Sequence, residues 1–334
     1  MIAVAEIGGI TAAQQFLRDV VQQCRPVVLR GLVRDWPLTQ AARSPSGLRD
    51  YLAGFDSGGE MEAFFGEPRI AGRYYYDEGL SGFNFERRAM RLGAALDTMI
   101  ANLDKPGAPS VYAGSLPMAD YLPGMAARNP MPLLAPAVQP RIWLGHASNV
   151  SCHYDTADNL ACVVAGRRRF TLYAPELIDR LYVGPIDHTM AGQPVSLAAS
   201  APPGDARYPR FAEIRDQALQ VELGPGDALY LPKLWWHQVE ATAPFNCLVN
   251  YWWDAFAAGP DAPYTAMLLA MIAIAERPPA ERRAWKALFD HYVFRERGHP
   301  LAHLPAGQHG VLGPLAENYG KLRARVMVML RGGI

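Results

Sequence analysis

Two side chains that can bind a metal ion stand one residue apart in the segment SCHYDTADN, residues 151–159. Residues i and i+2 of an extended strand point to the same side, so we expect His153 and Asp155 to face one common space. A third candidate ligand, His237, follows a Pro-Gly-Asp turn signal and a proline break in the segment 225–241. Two histidines and one carboxylate from separated strands predict a site for a divalent first-row metal.

This ligand set favours an iron centre that stays open to substrates. A 2-His-1-carboxylate triad occupies one face of an octahedron, which leaves room for a non-haem Fe(II) to hold a chelating co-substrate and O₂. A structural zinc site would close its shell with four protein ligands, often cysteines, and the cysteines at 24, 152, 162 and 247 lack that spacing. A lone His-x-Asp match is weak, so the surrounding segments must decide. His146 is close enough to be a candidate pocket residue.

The composition predicts an ordinary globular protein. Half of the 334 residues are apolar, and 32 basic residues balance 32 acidic ones. Zero net charge gives no global field that favours nucleic acid or an anionic membrane, so neither is an expected partner. No CxxC pair occurs, which favours a reducing, cytoplasmic setting. We expect no secretory signal, and the longest apolar run, residues 266–275, is half of the ~20 residues that a membrane helix needs.

From residue 141 onward the sequence changes to a β pattern that must position the candidate ligands. Short β-branched and aromatic runs are separated by Gly, Pro and Asp turns, which is typical of an antiparallel sandwich or barrel. A polar insertion at 183–217 interrupts the pattern, and insertions of this length are usually functional or mobile. Helices are expected at 11–24, 46–55 and 91–103 before this region, and at 262–276, 279–294 and 314–330 after it.

The order of these segments resembles one known family. HYDTADNLACVVAGRRRFTLYAPE, followed by GPGDALYLPKLWWHQVEA and NCLVNYWW, is similar to the JmjC-type, cupin-like Fe(II)/2-oxoglutarate oxygenases, including the asparaginyl hydroxylase of hypoxia-inducible factor. RPVVLRGLVRDWPL, RYYYDEGLSGFNF and VYAGSL extend the resemblance over roughly residues 25–254. It implies a mainly β fold with flanking helices, whose core is a double-stranded β-helix (jelly-roll, cupin), plus C-terminal helices. The implied domains are an oxygenase domain, 1–258, and a helical segment, 259–334, that caps it or dimerises.

The same resemblance implies roles for individual residues. The residues that match the iron ligands are His153, Asp155 and His237. Arg168 matches the basic residue that holds the distal carboxylate of 2-oxoglutarate in this family. The asparaginyl hydroxylase has lysine at this position, but an arginine can bind a carboxylate through two parallel hydrogen bonds. Ser151 is the nearest candidate for a hydroxyl before His153, because this segment is one residue shorter here. The other residues expected around the co-substrate are Asn159, Tyr112 and Asn250. The aromatic residues expected at the substrate are Tyr75, Trp236 and Trp252.

The implied activity is hydroxylation of a protein side chain or a small molecule by Fe(II), 2-oxoglutarate and O₂, with release of succinate and CO₂. Two alternatives stay open: a catalytically silent cupin-like module that binds a metal or ligand, and a zinc- or manganese-dependent isomerase. Lysine demethylation occurs in the wider JmjC group, but no basic tail, zinc finger or reader module accompanies this core. The apolar C-terminal helices resemble a dimerisation segment, so we expect a homodimer. The sequence does not identify the substrate.

Overall fold

A computed structural model describes residues 2–77, 81–187, 189, 192–257, 259 and 261–332. The chain forms two compact units, Met1–Ala255 and Phe256–Ile334. The domain boundary expected after residue 258 falls next to this division, although residue 258 itself lies outside the described residues.

The described part of the first unit contains thirteen mostly antiparallel strands. In chain order they are β1 (Ile2–Ala3), β2 (Ala5–Glu6), β3 (Val27–Leu29), β4 (Glu60–Gly66), β5 (Arg73–Tyr74), β6 (Glu86–Arg91), β7 (Ser110–Pro117), β8 (Pro140–His153), β9 (Asp158–Ala165), β10 (Arg168–Tyr173), β11 (Leu219–Leu223), β12 (Ala228–Leu231) and β13 (Trp236–Trp253). One run of neighbours is β2-β3-β12-β9-β13-β8-β7-β4-β6; β1-β11-β10 joins it through β13, and β5 lies beside β8. The predicted jelly-roll core with flanking helices is confirmed.

The two longest strands, β8 and β13, belong to both halves of the core. The first part of β13 pairs with β10 and its last part with β9, while β8 pairs with both parts. The sequence predicted two separate strands where β13 is continuous. Pro244 marks the point between them, because it cannot donate a ladder hydrogen bond and the pairing with β8 shifts register between Ala241 and Phe245. Such a bulge bends the strand, and the part of β13 before it pairs with β10 while the part after it pairs with β9.

Short helices of the first unit pack on one face of the sheet. They are α1 (Ala13–Asp19), α2 (Pro37–Ala41), α3 (Pro45–Ala53), α4 (Leu92–Asn102), α5 (Met118–Tyr121) and α6 (Met125–Arg128). Leu48 of α3 and Leu96 of α4 belong to the same buried cluster as Ile142 of β8. The sequence predicted α1, α3 and α4 but not α2, α5 and α6, since one turn of helix is too short to show a periodic apolar stripe.

The second unit contains three longer helices, α7 (Pro263–Ile274), α8 (Pro279–Phe289) and α9 (Leu315–Leu330), where the sequence predicted three. A π-helical turn, Asp290–Phe294, continues α8. Several large apolar side chains of this unit are exposed, among them Ile272, Phe294 and Met329. Among the described residues, no helix has both the length and the apolar character to cross a bilayer.

Parts of the insertion 183–217 pack against the end of β8. Phe211 and Ile214 belong to one buried cluster with Cys152 and Tyr154. Val195 forms an antiparallel β-bridge with His153. The insertion therefore supports the last residues of β8, which include a candidate metal ligand.

His146 has a structural role in the first unit. Its Nδ1 accepts a hydrogen bond from the Val111 amide at 2.9 Å, so its Nε2 donates to the Met99 carbonyl, also at 2.9 Å. This pairing requires a neutral imidazole. Burial lowers the pKa of His146 below the ordinary histidine value, which keeps the ring neutral.

We expect His146 to make the free energy of unfolding depend on pH. The folded state holds the pKa of this ring below its unfolded value, so the unfolded state binds more protons and stability falls as pH drops below about 6.5. A His146→Gln variant keeps an acceptor for Val111 and a donor for Met99 but does not titrate. Calorimetry should show a larger fall in Tm between about pH 7.5 and about pH 5.5 for the wild type than for this variant. Equal falls would contradict the assignment.

Candidate metal centre

The three predicted metal ligands come together where β8 ends and β13 begins. His153 and His237 are cross-strand partners, and their ring centroids are 4.2 Å apart. Asp155 follows two residues after β8 ends, with Oδ1 at 3.9 Å from Nε2 of His153 and Oδ2 at 3.7 Å from Nε2 of His237. One donor atom from each residue lies within 4.8 Å of the others. One ion could therefore contact all three side chains.

Backbone carbonyls orient both imidazole rings. Nδ1 of His153 is 2.8 Å from the Ser151 carbonyl, and Nδ1 of His237 is 2.9 Å from the Trp235 carbonyl. A carbonyl can only accept, so Nδ1 carries the proton and Nε2 presents its lone pair to the cluster. Burial lowers the pKa of His237 to about 4. This ring is therefore neutral at pH 7, as metal ligation requires.

Trp252 holds the carboxylate of Asp155 in place. Its indole Nε1 donates to Oδ2 of Asp155 at 3.2 Å, and its ring packs edge-on against Trp143 with centroids 5.7 Å apart. The Leu234 amide also donates to the backbone carbonyl of Asp155 at 2.8 Å. Trp252 was expected at the substrate. In this geometry its polar atom contacts a metal ligand.

A Trp252→Phe variant should bind metal more weakly. Phenylalanine keeps an aromatic ring but lacks the N–H that orients Asp155, and loss of a group that holds a metal ligand typically lowers affinity about 10- to 100-fold. The matched control is Trp253→Phe, because Trp253 packs against Phe16 and Tyr230 in the apolar core. Calorimetric titration with Mn(II) should show weaker binding only for Trp252→Phe. Equal affinities in both variants would remove the proposed role of Trp252.

Arg168 is a buried cation that has no carboxylate partner among the described residues. The residue is 3% exposed, and its Nε has no hydrogen-bond partner among the described residues. The Tyr112 hydroxyl lies beside the guanidinium, and burial acts to lower the pKa of Arg168. By contrast, the exposed Arg167 and Arg169 form ion pairs with Glu222. An unpaired buried charge is costly, so an anionic ligand would fit this position.

A chain of amide and indole groups crosses the core. Trp143 donates from Nε1 to Oδ1 of Asn250 at 2.6 Å, and Asn250 donates from Nδ2 to Oδ1 of Asn159 at 3.1 Å. Asn159 and Asn250 are both buried. The hydroxyl of Ser151 is also buried and lacks a hydrogen-bond partner among the described residues. The core therefore holds a bonded pair of buried amides and, on β8, a buried hydroxyl.

Two residues of this region were not identified from the sequence. Trp143 supplies the N–H that fixes the Asn250 amide. Gly145 is the cross-strand partner of Tyr112. A Cβ at Gly145 would lie 2.9 Å from the Tyr112 ring, so only glycine leaves this ring its position beside Arg168. A strand glycine of this kind can mark a close approach, which is the signal that could have identified it.

The structure does not bring Trp236 to the metal cluster. Trp236 is 1% exposed and packs edge-on against Tyr154, with centroids 4.9 Å apart. It precedes His237 in β13, so its side chain points to the opposite face of the strand. The expectation that Trp236 contacts substrate is therefore not supported by its packing.

Tyr75 lines a cavity of about 870 Å³ in the first unit. One wall comes from residues within 65–77 and 83–86, and the other from residues within 197–208. The guanidinium of Arg73 lies over the Tyr75 ring at 4.8 Å. Leu197 is in the second wall, two residues after Val195, which bridges to His153. One wall of the cavity thus follows, by two residues, the segment that pairs with His153.

The fold and the cluster define a cupin-like protein with a 2-His-1-carboxylate site. The sequence model of the family described as Cupin-like domain matches residues 12–259. This match covers most of the chain, and the chain belongs to that family.

Three curated relatives show which cupin-like proteins the chain is similar to. Jumonji C domain-containing protein 5 of Drosophila melanogaster is 39% identical over 119 residues, covering 35% of this chain and 28% of the relative. Bifunctional peptidase and (3S)-lysyl hydroxylase JMJD7 of Homo sapiens is 27% identical over 273 residues, covering 72% of this chain and 80% of the relative. HSPB1-associated protein 1 of Homo sapiens is 32% identical over 149 residues, covering 43% of this chain and 30% of the relative.

The chain thus spans less than a third of the length of two of these relatives and most of the length of JMJD7. The resemblance to JmjC-type, cupin-like proteins that the sequence predicted is confirmed. The His-Asp-His cluster has the donor types expected for such a protein.

Proposed function

We propose that this protein is an Fe(II)- and 2-oxoglutarate-dependent oxygenase that hydroxylates a protein side chain or a small molecule. The proposal rests on two complementary demands in one core: a cluster with metal-ligand chemistry and the buried guanidinium of Arg168. A divalent metal suits the first and a carboxylate suits the second. In β10, Arg168 and Leu172 point to the same side of the strand because they are four residues apart. Leu172 is the cross-strand partner of His237, so Arg168 and His237 lie on the same side of the sheet. A 2-oxo dicarboxylate has a group that can bind the metal and a second carboxylate that can bind Arg168.

Each residue then has a defined task. His153, Asp155 and His237 would hold the iron. Arg168, with Tyr112 beside it, holds the distal carboxylate of 2-oxoglutarate, and the surrounding apolar cluster excludes water. Asn159, Asn250 and Ser151 supply the remaining polar contacts around the co-substrate. When bound, the iron and 2-oxoglutarate supply with O₂ the oxidising chemistry that hydroxylates a C–H bond and releases succinate and CO₂.

Hydroxylation is favoured over the other activities of related proteins. Of the three relatives compared, JMJD7 covers the largest share of this chain, and its name describes a lysyl hydroxylase. A three-ligand cluster leaves coordination positions open for a co-substrate and O₂, and a silent binding module would have no need for such positions.

Succinate formation tests the proposal directly. The protein, Fe(II) and 2-oxoglutarate in air should form succinate even without a substrate. The residues assigned to the iron and to 2-oxoglutarate belong to the protein itself and do not require a bound substrate. Anaerobic incubation is the control, because O₂ is a reactant. Tight binding of Mn(II) and 2-oxoglutarate without any aerobic succinate would instead favour the silent cupin-like module.

We further propose that the substrate enters through the 870 Å³ cavity. Ligand cavities usually combine apolar or aromatic walls with a few polar groups, and here Tyr75, Phe83 and Phe85 stand with Arg73 and Glu67. A cavity of this size admits either a small molecule or part of a peptide. Screening of peptides and metabolites for stimulated succinate formation, repeated with Tyr75→Ala, tests this route. Unchanged stimulation in the variant would place the substrate elsewhere.

We also propose a homodimer that forms through the second unit. α7 has no buried residue although it is apolar on all sides, and Ile272 is 83% exposed. A helix of that composition is normally buried, and a second copy offers the same apolar surface. Sedimentation at micromolar concentration should show a dimer for the wild type and a shift toward monomer for Ile272→Glu. A monomeric wild type would contradict the proposal.

A further inference from the structure

The buried carboxylate of Asp158 joins three segments of the first unit. It is 1% exposed and lies three residues after Asp155, at the start of β9. Oδ1 accepts a hydrogen bond from the Tyr230 hydroxyl at 3.0 Å, and Oδ2 accepts one from the Ala255 amide at 3.1 Å. Nζ of Lys233 is 3.2 Å from Oδ2. Asp158 thus links the start of β9, where it lies, to the segment of Tyr230 and Lys233 at the end of β12 and to Ala255 just after β13.

Lys233 completes this arrangement from the connection between β12 and β13. Its ammonium contacts the carboxylates of both Asp158 and Asp254. Burial acts to lower the pKa of Lys233, but the bonds to these two carboxylates outweigh it and the pKa is raised. The lysine is therefore charged at neutral pH. The next residue, Leu234, has a left-handed backbone (φ 69°) and donates its amide to the Asp155 carbonyl at 2.8 Å.

Each joined segment carries part of the metal centre. Asp155 precedes Asp158 by three residues, His237 follows Lys233 by four, and Trp252, which donates to Asp155, precedes Ala255 by three. The distances between Asp155 and His237 depend on how these segments lie against one another. The ion pair of Asp158 with Lys233 lies where these segments meet.

We infer that Lys233 and Asp158 are positioning residues that hold Asp155 and His237 at metal-binding separation. The inference rests on the proposed function, because it concerns the same metal centre. A purely structural ion pair would affect unfolding alone. A positioning pair also affects the affinity and the coordination geometry of the metal in the folded protein.

A second ion pair on the same strand provides a matched control. Arg30 contacts Asp227 at 2.8 Å, and Asp227 immediately precedes β12, whereas Lys233 follows it. Arg30→Met therefore also removes a cation from a cation–carboxylate pair, but at the start of β12, which is farther in sequence from His237. Lys233→Met removes the inferred positioning contact with the same new side chain.

Titration of the metal-free full-length protein with Co(II), followed by visible absorption and calorimetry, tests the inference. Lys233→Met should bind Co(II) about 10- to 100-fold more weakly, as variants of groups that hold metal ligands do, and its absorption bands should change. Arg30→Met should keep the wild-type affinity and absorption bands. Lys233→Arg should also keep them, because arginine retains the positive charge at this position. Wild-type affinity and bands in Lys233→Met would overturn the inference.

Two further variants keep the test decisive. If Lys233→Met does not fold, Lys233→Gln, which keeps a donor for Asp158 without the charge, should still bind Co(II) more weakly than Lys233→Arg; equal binding would overturn the inference. His153→Ala reports on the centre itself. Absence of Co(II) binding in the wild type, or wild-type binding in His153→Ala, would overturn the proposed function as well. Loss in His153→Ala with none in the Lys233 variants would overturn only the positioning role.

Discussion

A His237→Ala variant will lose metal binding and with it all succinate formation from 2-oxoglutarate. His237 supplies one of the three donor atoms of the cluster, and alanine leaves no atom to replace it. Metal affinity should fall by more than the roughly 100-fold that follows from loss of a group that merely holds a ligand. Calorimetric titration with Mn(II) measures the binding, and chromatography of the product measures the turnover.

The fold of His237→Ala should persist, because removing this imidazole leaves no charged group unpaired in the metal-free protein. The matched control is His303→Ala, since His303 is exposed in the second unit and lies outside the cluster. It should bind Mn(II) and form succinate as the wild type does. Wild-type turnover in His237→Ala would show that the three clustered side chains do not form the iron site.

An Arg168→Met variant will lose 2-oxoglutarate binding without losing stability in the absence of ligand. Truncating one partner of a buried charge pair costs about 2–5 kcal/mol of binding free energy, so the affinity should fall about 30-fold or more. Burying a charge without a counter-charge costs free energy in the ligand-free protein, and methionine is an uncharged, apolar side chain of similar length. The Tm of the ligand-free variant should therefore equal or exceed that of the wild type.

Thermal unfolding with Mn(II), with and without 2-oxoglutarate, measures both effects in one series. Ligand at about 100 times its Kd should stabilise the wild type by about 2.7 kcal/mol and leave Arg168→Met almost unchanged. The neighbouring Arg167→Met is the control, because Arg167 is exposed and pairs with Glu222. It should respond to 2-oxoglutarate as the wild type does. A clear loss of ligand-free stability in Arg168→Met would mean that the guanidinium is a structural group.

Local spacing was sufficient to predict which residues of the metal cluster face one another. The two-residue period of a strand predicted that His153 and Asp155 share one space, and the same period separated Arg168 from its two neighbours. That period also argues against Trp236, because the residue next to His237 must point away from it. The expectation for Trp236 rested on the resemblance and did not apply this rule.

Contacts between distant segments could not be predicted in the same way. The bond from Trp252 to Asp155 joins residues 97 apart in sequence, and it requires the register of β13 against β9. The buried contacts of Asp158 with Tyr230 and Lys233 have the same origin. Nothing in the local pattern of either strand specifies that register, since β-branched and aromatic runs fit many pairings equally well.

The sequence by itself determined the chemistry of the centre: the donor types, their spacing, the basic residue on the following strand and the β pattern that carries them. Only the tertiary structure decided that His153 and His237 are cross-strand partners and that Trp252 holds Asp155. It also decided that Arg168 is buried with no carboxylate partner in the described part of the chain. The physical reason is that residue types and strand periodicity are local properties. The pairing of distant strands depends on how the whole core packs, and that pairing sets the distances between the ligands.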